Sequence, residues 1–358
     1  MNSLLLIAAG GTGGHIFPGL AVAEEMMART PGVRVEFVGS TAPLGLERKI
    51  VPKAGLKLHL LPVLPLNTPN LTARLRGGAL LPWGLGKALL LLLKSRPAAV
   101  LGIGGYASGP LVLMASLLRI PTLLLEPNAI PGFTNRRLIP FVRKAACAFE
   151  ATLPKLGGKG VVTGNPVRSS FKALAPREHT EPLRLLCFGG SQGSRILSNA
   201  LVGSIPSLPD EKTLSIVHQT GPAQHEEIEA AYRKAGRAAR VVPFIDNMWE
   251  AFAEADLVLC RAGATTLAEL TVAGKAAILV PLRSAADDHQ TWNAKAMAGA
   301  GAAVMVRESD LQTLGDVVRG LVEEPLRLRS LETQARALGK PDAAARVADL
   351  LEPWLKAA

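Results

Sequence analysis

Aromatic residues make up only 4% of this 358-residue chain, which leaves little for the ring-stacking platforms of single-strand nucleic-acid binders. Cysteine is scarcer still. Cys147, Cys187 and Cys260 stand far apart, with no Cys-x-x-Cys pair and no Cys/His finger spacing, so a disulfide framework or zinc module is excluded and buried free thiols in a reducing compartment are expected. Long apolar runs are also missing. The opening MNSLLLIAAGG lacks a basic flank and is too short for a signal peptide, so it reads as a first strand. The stretch from Ala79 to Leu93 is punctuated by Pro82, Gly84, Gly86 and Lys87 and falls short of the ~20 apolar residues of a membrane span. Acidic residues are missing from one half in particular: positions 1–167 hold 18 Lys/Arg and 6 Asp/Glu, whereas 168–358 hold 22 and 23, within a total of +11. A surplus of that sign points to nucleic acid, an anionic membrane or a phosphorylated substrate; with so few aromatics and no finger spacing, no nucleic-acid partner is expected.

What is present is a folded globular composition, 48% hydrophobic and 19% charged, long enough for two domains at roughly 100–200 residues each. Short apolar runs ending in Gly or Pro alternate with longer amphipathic stretches throughout, which is βα repetition. Candidate strands are 4–8, 35–38, 58–61, 99–103, 122–125, 144–148 and 160–163, then 184–188, 215–219, 239–243, 257–260, 276–280 and 302–305. Each half begins with a strand running into a glycine-rich turn, Gly10-Gly11-Thr12-Gly13-Gly14-His15 and Gly189-Gly190-Ser191-Gln192-Gly193-Ser194. That duplication predicts an α/β chain of two Rossmann-like domains with parallel sheets. The expected domains are 1–167 and 168–340, joined at Gly164-Asn165-Pro166-Val167-Arg168, with a C-terminal helix of about 340–358 packing back on the first.

Glycine turns between strand and helix let backbone N–H groups and the helix dipole approach a phosphate. A third such turn is Gly104-Gly105-Tyr106-Ala107-Ser108-Gly109-Pro110. None is a dinucleotide fingerprint: Gly11-Thr12-Gly13 is followed by Gly14-His15-Ile16, and the second strand ends at Gly39-Ser40 without the carboxylate that holds an adenosine ribose. No GxxxxGK[ST] P-loop occurs either. The segment from Ala255 to Leu270 reads strand, turn, helix. Small residues Ala262 to Thr266 would expose a helix N-terminus suited to a diphosphate, with Glu269 one turn further in to accept from both hydroxyls of a ribose. The alternative for Glu269 is a surface glutamate favoured by the helix dipole.

Taken together, Gly10–Ala21 with His15, the Gly104–Pro110 turn, Thr163-Gly-Asn-Pro-Val-Arg168, Gly189–Ser194 and Cys260–Glu269 resemble the MurG family, the N-acetylglucosaminyltransferases that make lipid II of bacterial peptidoglycan. The match runs in order from residue 5 to about 300. The resemblance implies the GT-B fold, two Rossmann-like domains facing a cleft, and inverting transfer of GlcNAc from UDP-GlcNAc to the MurNAc 4-hydroxyl of undecaprenyl-diphospho-MurNAc-pentapeptide, lipid I. On matching positions it implies Ile245 on uracil through backbone contacts, Glu269 on the ribose, and Ser191 with the turn at Ala264, Thr265, Thr266, Leu267 and Ala268 on the diphosphate. Arg168 would add positive charge near the donor, Thr12, Gly13, Gly14 and Asn128 would face the sugar, and Gln290 would reach GlcNAc hydroxyls. His15 is the candidate base, histidine being suited to proton transfer near neutral pH; the alternative is a structural histidine bonded to its loop. Glu126 would orient His15 or the acceptor.

No cofactor or metal is implied, since no DxD motif occurs. Three departures from the family pattern stand out: Pro127 in place of a glutamine, His289 in place of the first of a glutamine pair, and the loop Ala285-Ala286-Asp287-Asp288. The resemblance also implies peripheral attachment at the cytoplasmic face of the inner membrane, and cell-wall synthesis proteins as further partners. Leu71, Leu75, Leu80, Leu81 and Trp83 beside Arg74 and Arg76 are the expected contacts with an anionic leaflet, apolar residues among cations, with Lys87–Leu93 an ordinary buried helix. Competing readings are a UDP-GlcNAc 2-epimerase and a non-enzymatic membrane scaffold.

Overall fold

The computed structural model describes residues 3–42, 45–65, 70–190 and 192–356. Every expected strand is found, with boundaries moved by at most two residues. The chain divides into two compact units, Met1–Ser169 with Lys340–Ala358, and Ser170–Gly339. Arg168, expected in the second domain, falls in the first unit.

Among the described residues the first unit is built on seven parallel strands: β1 Leu4–Ala9, β2 Arg34–Ser40, β3 Lys57–Leu61, β4 Ala99–Gly104, β5 Thr122–Glu126, β6 Lys144–Cys147 and β7 Gly160–Val162. Their order is β3-β2-β1-β4-β5-β6-β7. Strand β1 is buried along its whole length, and its alternating side chains feed two cores, as a sheet covered on both faces requires. Leu4, Leu6 and Ala8 join Leu111, Val112 and Leu124 on one side; Leu5, Ile7 and Ala9 join Ile16, Phe37 and Leu101 on the other. That second core is closed by the C-terminal helix Ala343–Lys356, which contributes Val347, Ala348, Leu351 and Leu355. Arg29 pairs with Asp349 at 2.6 Å, and the Ser3 hydroxyl donates to the Leu355 carbonyl at 2.7 Å.

The second unit holds β8 Leu183–Phe188, β9 Leu214–Gln219, β10 Arg240–Val242, β11 Leu257–Cys260, β12 Ala276–Leu279 and β13 Val304–Met305. They are again parallel, in the order β10-β9-β8-β11-β12-β13. Leu185, Cys187, Leu257, Leu259 and Ile278 face one core, while Phe188 packs with Phe252 and Phe171 on the other side of the sheet. The three cysteines are buried and free; burial, with Glu126 and Glu150 nearby, pushes the Cys147 thiol up to about 11.

The apolar stretch read as too interrupted for a membrane span lies within one continuous helix, Leu71–Ser95, capped by the Asn70 side chain. It passes through Pro82 because that residue lies on the exposed side, where the Gly78 carbonyl that loses its helical donor faces water. By length and composition this helix is apolar enough to cross a membrane. It is one-sided, however: Gly77, Gly84, Ala88 and Leu92 are buried against the unit, whereas Leu90 and Leu93 in the half expected to be buried are 61% and 53% exposed.

Candidate active site

Ligands in open parallel α/β sheets sit beyond the carboxyl ends of the strands, where the strand order reverses. In the first unit that point lies between β1 and β4, and both strands run directly into glycine turns. Gly11, Gly104 and Gly105 have φ of 88°, 123° and 79°, values that favour glycine. A Cβ on Gly105 would overlap the Gly10 carbonyl, and one on Gly104 would stand 2.9 Å from His15 Nε2. The two turns are therefore pressed together by the absence of side chains. The helix Gly13–Arg29 starts immediately after Thr12, so Gly13 and Gly14 present first-turn N–H groups. His15 is half-buried on that turn, its Nδ1 3.3 Å from the Gly10 carbonyl and 3.4 Å from Thr12 Oγ1.

Behind this loop lies a residue that motif reading missed. Glu47, fully buried, accepts the Gly11 N–H through Oε2 at 2.9 Å and the Ser40 N–H through Oε1 at 3.1 Å. Nothing in its local sequence distinguishes it from a solvated first-turn glutamate; only the approach of β1 and β2 reveals its role.

Glu126 ends β5, the neighbour of β4. Its carboxylate accepts from the Asn128 N–H at 3.0 Å, Asn128 Nδ2 at 3.1 Å, the Gly132 N–H at 3.0 Å and Asn135 Nδ2 at 2.9 Å. Burial pushes this carboxyl up, while those four donors pull it down without cancelling the rise. Its geometry is that of a post fixing the 127–132 loop and Asn128. Arg168 stacks its guanidinium 4.7 Å over the Phe17 ring, on the helix that carries His15.

In the second unit the reversal lies between β8 and β11. After β8, Gly190 and Gly193 have φ of 92° and 74°, and after β9 Gly221 has 83°. A Cβ on Gly193 would overlap the Thr220 carbonyl and one on Gly221 the Gln192 carbonyl, so these turns are also packed glycine to backbone. Gln219 Nε2 ties the first of them down by donating to the Gly190 carbonyl at 3.1 Å. Ser191 lies outside the described residues.

After β11 the helix Ala264–Ala273 begins with Gly263 as its cap and no acidic residue in its first turn. Ala264 and Thr265 are buried, Thr266 and Ala268 half-buried and Leu267 buried. Glu269 is 5% exposed, which removes the reading of a solvent-facing glutamate. Ile245 is half-buried in the loop after β10. Gln290 uses its amide oxygen to accept the Leu282 N–H at 3.0 Å, so its outward chemistry is that of the amide nitrogen. The preceding Asp287 and Asp288 both adopt left-handed backbone, φ 53° and 52°. Among the described residues no cluster of three or more His, Cys, Asp or Glu is placed to hold a metal.

Arg261, quoted in the sequence only as part of a motif, ties three strand ends together. It pairs with Glu308 at 2.7 Å, donates to the Val280 and Pro281 carbonyls at 3.2 and 3.4 Å, and reaches Ser194 Oγ at 2.8 Å. Ser194 caps the helix Arg195–Gly203, so a single guanidinium braces the turns after β8, β11 and β12.

Comparison with known proteins matches residues 5–147 to the glycosyltransferase family 28 N-terminal domain and residues 184–347 to the glycosyltransferase family 28 C-terminal domain. The chain is 47% identical to a protein of Anaeromyxobacter sp. (strain Fw109-5) named UDP-N-acetylglucosamine--N-acetylmuramyl-(pentapeptide) pyrophosphoryl-undecaprenol N-acetylglucosamine transferase, over 97% of this chain and 92% of that one. It is 45% identical to the protein of the same name from Myxococcus xanthus (strain DK1622), over 97% and 91%. Among solved structures, MurG of Acinetobacter baumannii superposes with a TM-score of 0.78 at 33% identity, covering 98% of this chain and 99% of that one.

Proposed function

This chain belongs to glycosyltransferase family 28 and to the MurG family within it, and from that membership we infer that it transfers GlcNAc from UDP-GlcNAc to the MurNAc 4-hydroxyl of lipid I, forming lipid II. The observation that carries this reading is positional. Both sets of motifs stand at the points where the two strand orders reverse.

In this reading the second unit binds the donor. The loop at Ile245 takes uracil, Glu269 accepts from the ribose hydroxyls, and the diphosphate lies at Ala264, Thr265 and Thr266, where first-turn N–H groups and the helix dipole favour anions. Ser191 and Arg168 add contacts to it, and the Gln290 amide nitrogen reaches the sugar. The first unit handles the acceptor through Thr12, Gly13, Gly14 and Asn128, the last held by Glu126. As the acceptor oxygen attacks C1, its proton passes to His15 Nε2, the C1–oxygen bond to UDP breaks with inversion, and the electron pair leaves on the diphosphate. The negative charge developing there meets preorganised N–H donors.

The undecaprenyl acceptor requires a membrane surface, and the helix Leu71–Ser95 offers one. Leu71, Leu75 and Trp83 are 66%, 65% and 60% exposed, while Leu80 and Leu81 are half-buried and give way to Leu90 and Leu93 in the proposed contact. Lys87 sits 5.1 Å from the Trp83 ring centre. Between Glu47 and Glu126 the sequence contains ten Lys/Arg and no acidic residue, a balance suited to an anionic leaflet. The cytoplasmic face and cell-wall synthesis partners belong to the same proposal.

One assay tests the whole reading: UDP-GlcNAc mixed with a short-chain lipid I analogue. A β-1,4-linked disaccharide product supports transfer; UDP-ManNAc would replace this reading with epimerisation, and neither product from a folded, UDP-binding sample would replace it with a scaffold. Vesicle binding that weakens with salt and with Arg74, Arg76 and Trp83 replaced supports the surface, and salt-independent binding counts against it.

A further inference from the structure

We propose that Glu47 is a positioning residue for His15, acting through the one peptide unit that joins Gly10 to Gly11; the consequence for turnover rests on the transferase reading above. The N–H of that peptide, on Gly11, donates to Glu47 Oε2 at 2.9 Å. Its carbonyl, on Gly10, lies 3.3 Å from His15 Nδ1. One rigid planar group thus has a buried carboxylate at one end and the imidazole at the other.

A carbonyl oxygen only accepts, so the Gly10 contact at 3.3 Å is made by the His15 tautomer with hydrogen on Nδ1, the nitrogen that also lies 3.4 Å from the Thr12 hydroxyl, and that tautomer leaves Nε2 as the basic nitrogen. Hydrogen bonds in series polarise one another in a low-dielectric interior. An anion on the N–H end makes the Gly10 oxygen a stronger acceptor, and a stronger acceptor favours the imidazolium formed when Nε2 takes a proton.

The packing is arranged around this carboxylate. A Cβ on Gly10, Gly39 or Gly45 would stand 2.8, 2.6 or 2.8 Å from Glu47 side-chain atoms, so three separate glycines make room for it. Oε1 is anchored to the Ser40 N–H at the end of β2, which fixes the carboxylate against the sheet and not merely against the loop. From the other side Gly105 backs onto the Gly10 carbonyl. Tyr106, whose ring lies beside Gly11, and Arg168 on Phe17 also stand at this end of the helix. Glu47 bonds the Gly10–Gly11 peptide directly.

The test is nitrogen-15 NMR of the full chain labelled at its six histidines, without substrate, together with the pH profile of kcat/KM. In the wild type His15 should carry hydrogen on Nδ1. In Glu47→Gln, which keeps the size and removes the charge, its titration and the acid limb of kcat/KM should move together to lower pH. Glu47→Ala should lower kcat by ~10-fold or more with donor KM little changed, and Glu47→Asp should restore part of it. Where Glu47→Ala fails to fold, the Gln and Asp variants decide. A wild-type His15 protonated on Nε2, or an unchanged titration in folded Glu47→Gln, would overturn the proposal; a mere strut would lower kcat without moving either titration. A His15 that responds to Glu47→Gln in a protein making no lipid II supports the coupling and counts instead against the transferase reading.

Discussion

In the first unit the glycine turn after β1 carries a titratable ring, and buried carboxylates stand behind the surrounding loops: Glu47 under Gly11, Glu126 under Asn128 and Gly132. In the second unit the corresponding turn after β8 has no ionisable residue, and the helix facing the same reversal point begins with no acid in its first turn. The overall charge runs the opposite way to what an anionic donor suggests. Met1–Ser169 with Lys340–Ala358 holds 22 Lys/Arg against 9 Asp/Glu, and Ser170–Gly339 holds 18 against 20. A diphosphate is met at short range by N–H groups and a helix dipole, which need no net charge. Proton transfer asks for one nitrogen held in one tautomer, and in the proposed coupling Glu47, fixed to backbone donors, supplies that. In the proposed reading the same strand–glycine–helix unit supports two chemistries, and what stands behind the loop separates them.

The sharpest way to break the comparison is His15→Ala. If the first unit handles the proton and the second the donor, turnover should fall ~100- to 10,000-fold, while calorimetric affinity for UDP-GlcNAc stays within error; near-normal turnover would return His15 to a structural role. Next in size is Gly193→Ala, which drives a Cβ into the Thr220 carbonyl at positive φ and should cost about 3 kcal/mol. UDP binding should be lost with the turn, whereas wild-type binding and stability would show that the packed glycines are not required.

A comparable effect is expected from pH. His218 is buried between Ser198 Oγ and Tyr232 OH, at 3.2 and 3.1 Å, and burial lowers its pKa from 6.5 to about 4. The folded state therefore holds fewer protons than the unfolded one between those values. Stability should be fully present above pH 6.5 and decline by up to ~3 kcal/mol as pH falls toward 4. Urea unfolding of the second unit should show this slope, and His218→Gln should flatten it; an unchanged slope would assign the effect elsewhere. The smallest change separates ribose from charge: Glu269→Ala should raise donor KM by ~10- to 100-fold, as loss of hydrogen bonds to a charged group implies, and hurt a 2′-deoxyribose donor less. Equal losses on both donors would remove the ribose role.

Much of this was legible in the chain itself. Strands such as Leu4–Ala9 and Leu257–Cys260 are uninterrupted apolar runs ending at Gly or a small-residue turn, and that signal is local. Glu269 was legible in position but not in burial, because a glutamate near a helix start reads the same whether it faces water or a site. Leu90 and Leu93 misled in the other direction: a leucine-rich segment reads as core, yet one helix face is already filled by Ala88 and Leu92. Glu47 and Arg261 gave no local sign of their roles, since each acts on backbone donated by distant segments.

The sequence by itself determined the βα alternation, the glycine turns at the strand ends, the uneven charge and the family. Tertiary structure alone decided that β1 lies beside β4 and β8 beside β11, and that Glu47 meets the Gly10–Gly11 peptide. Parallel neighbours are joined through crossovers, not adjacent turns, so a side chain's partners across such a sheet are set by packing that no local pattern of residues records.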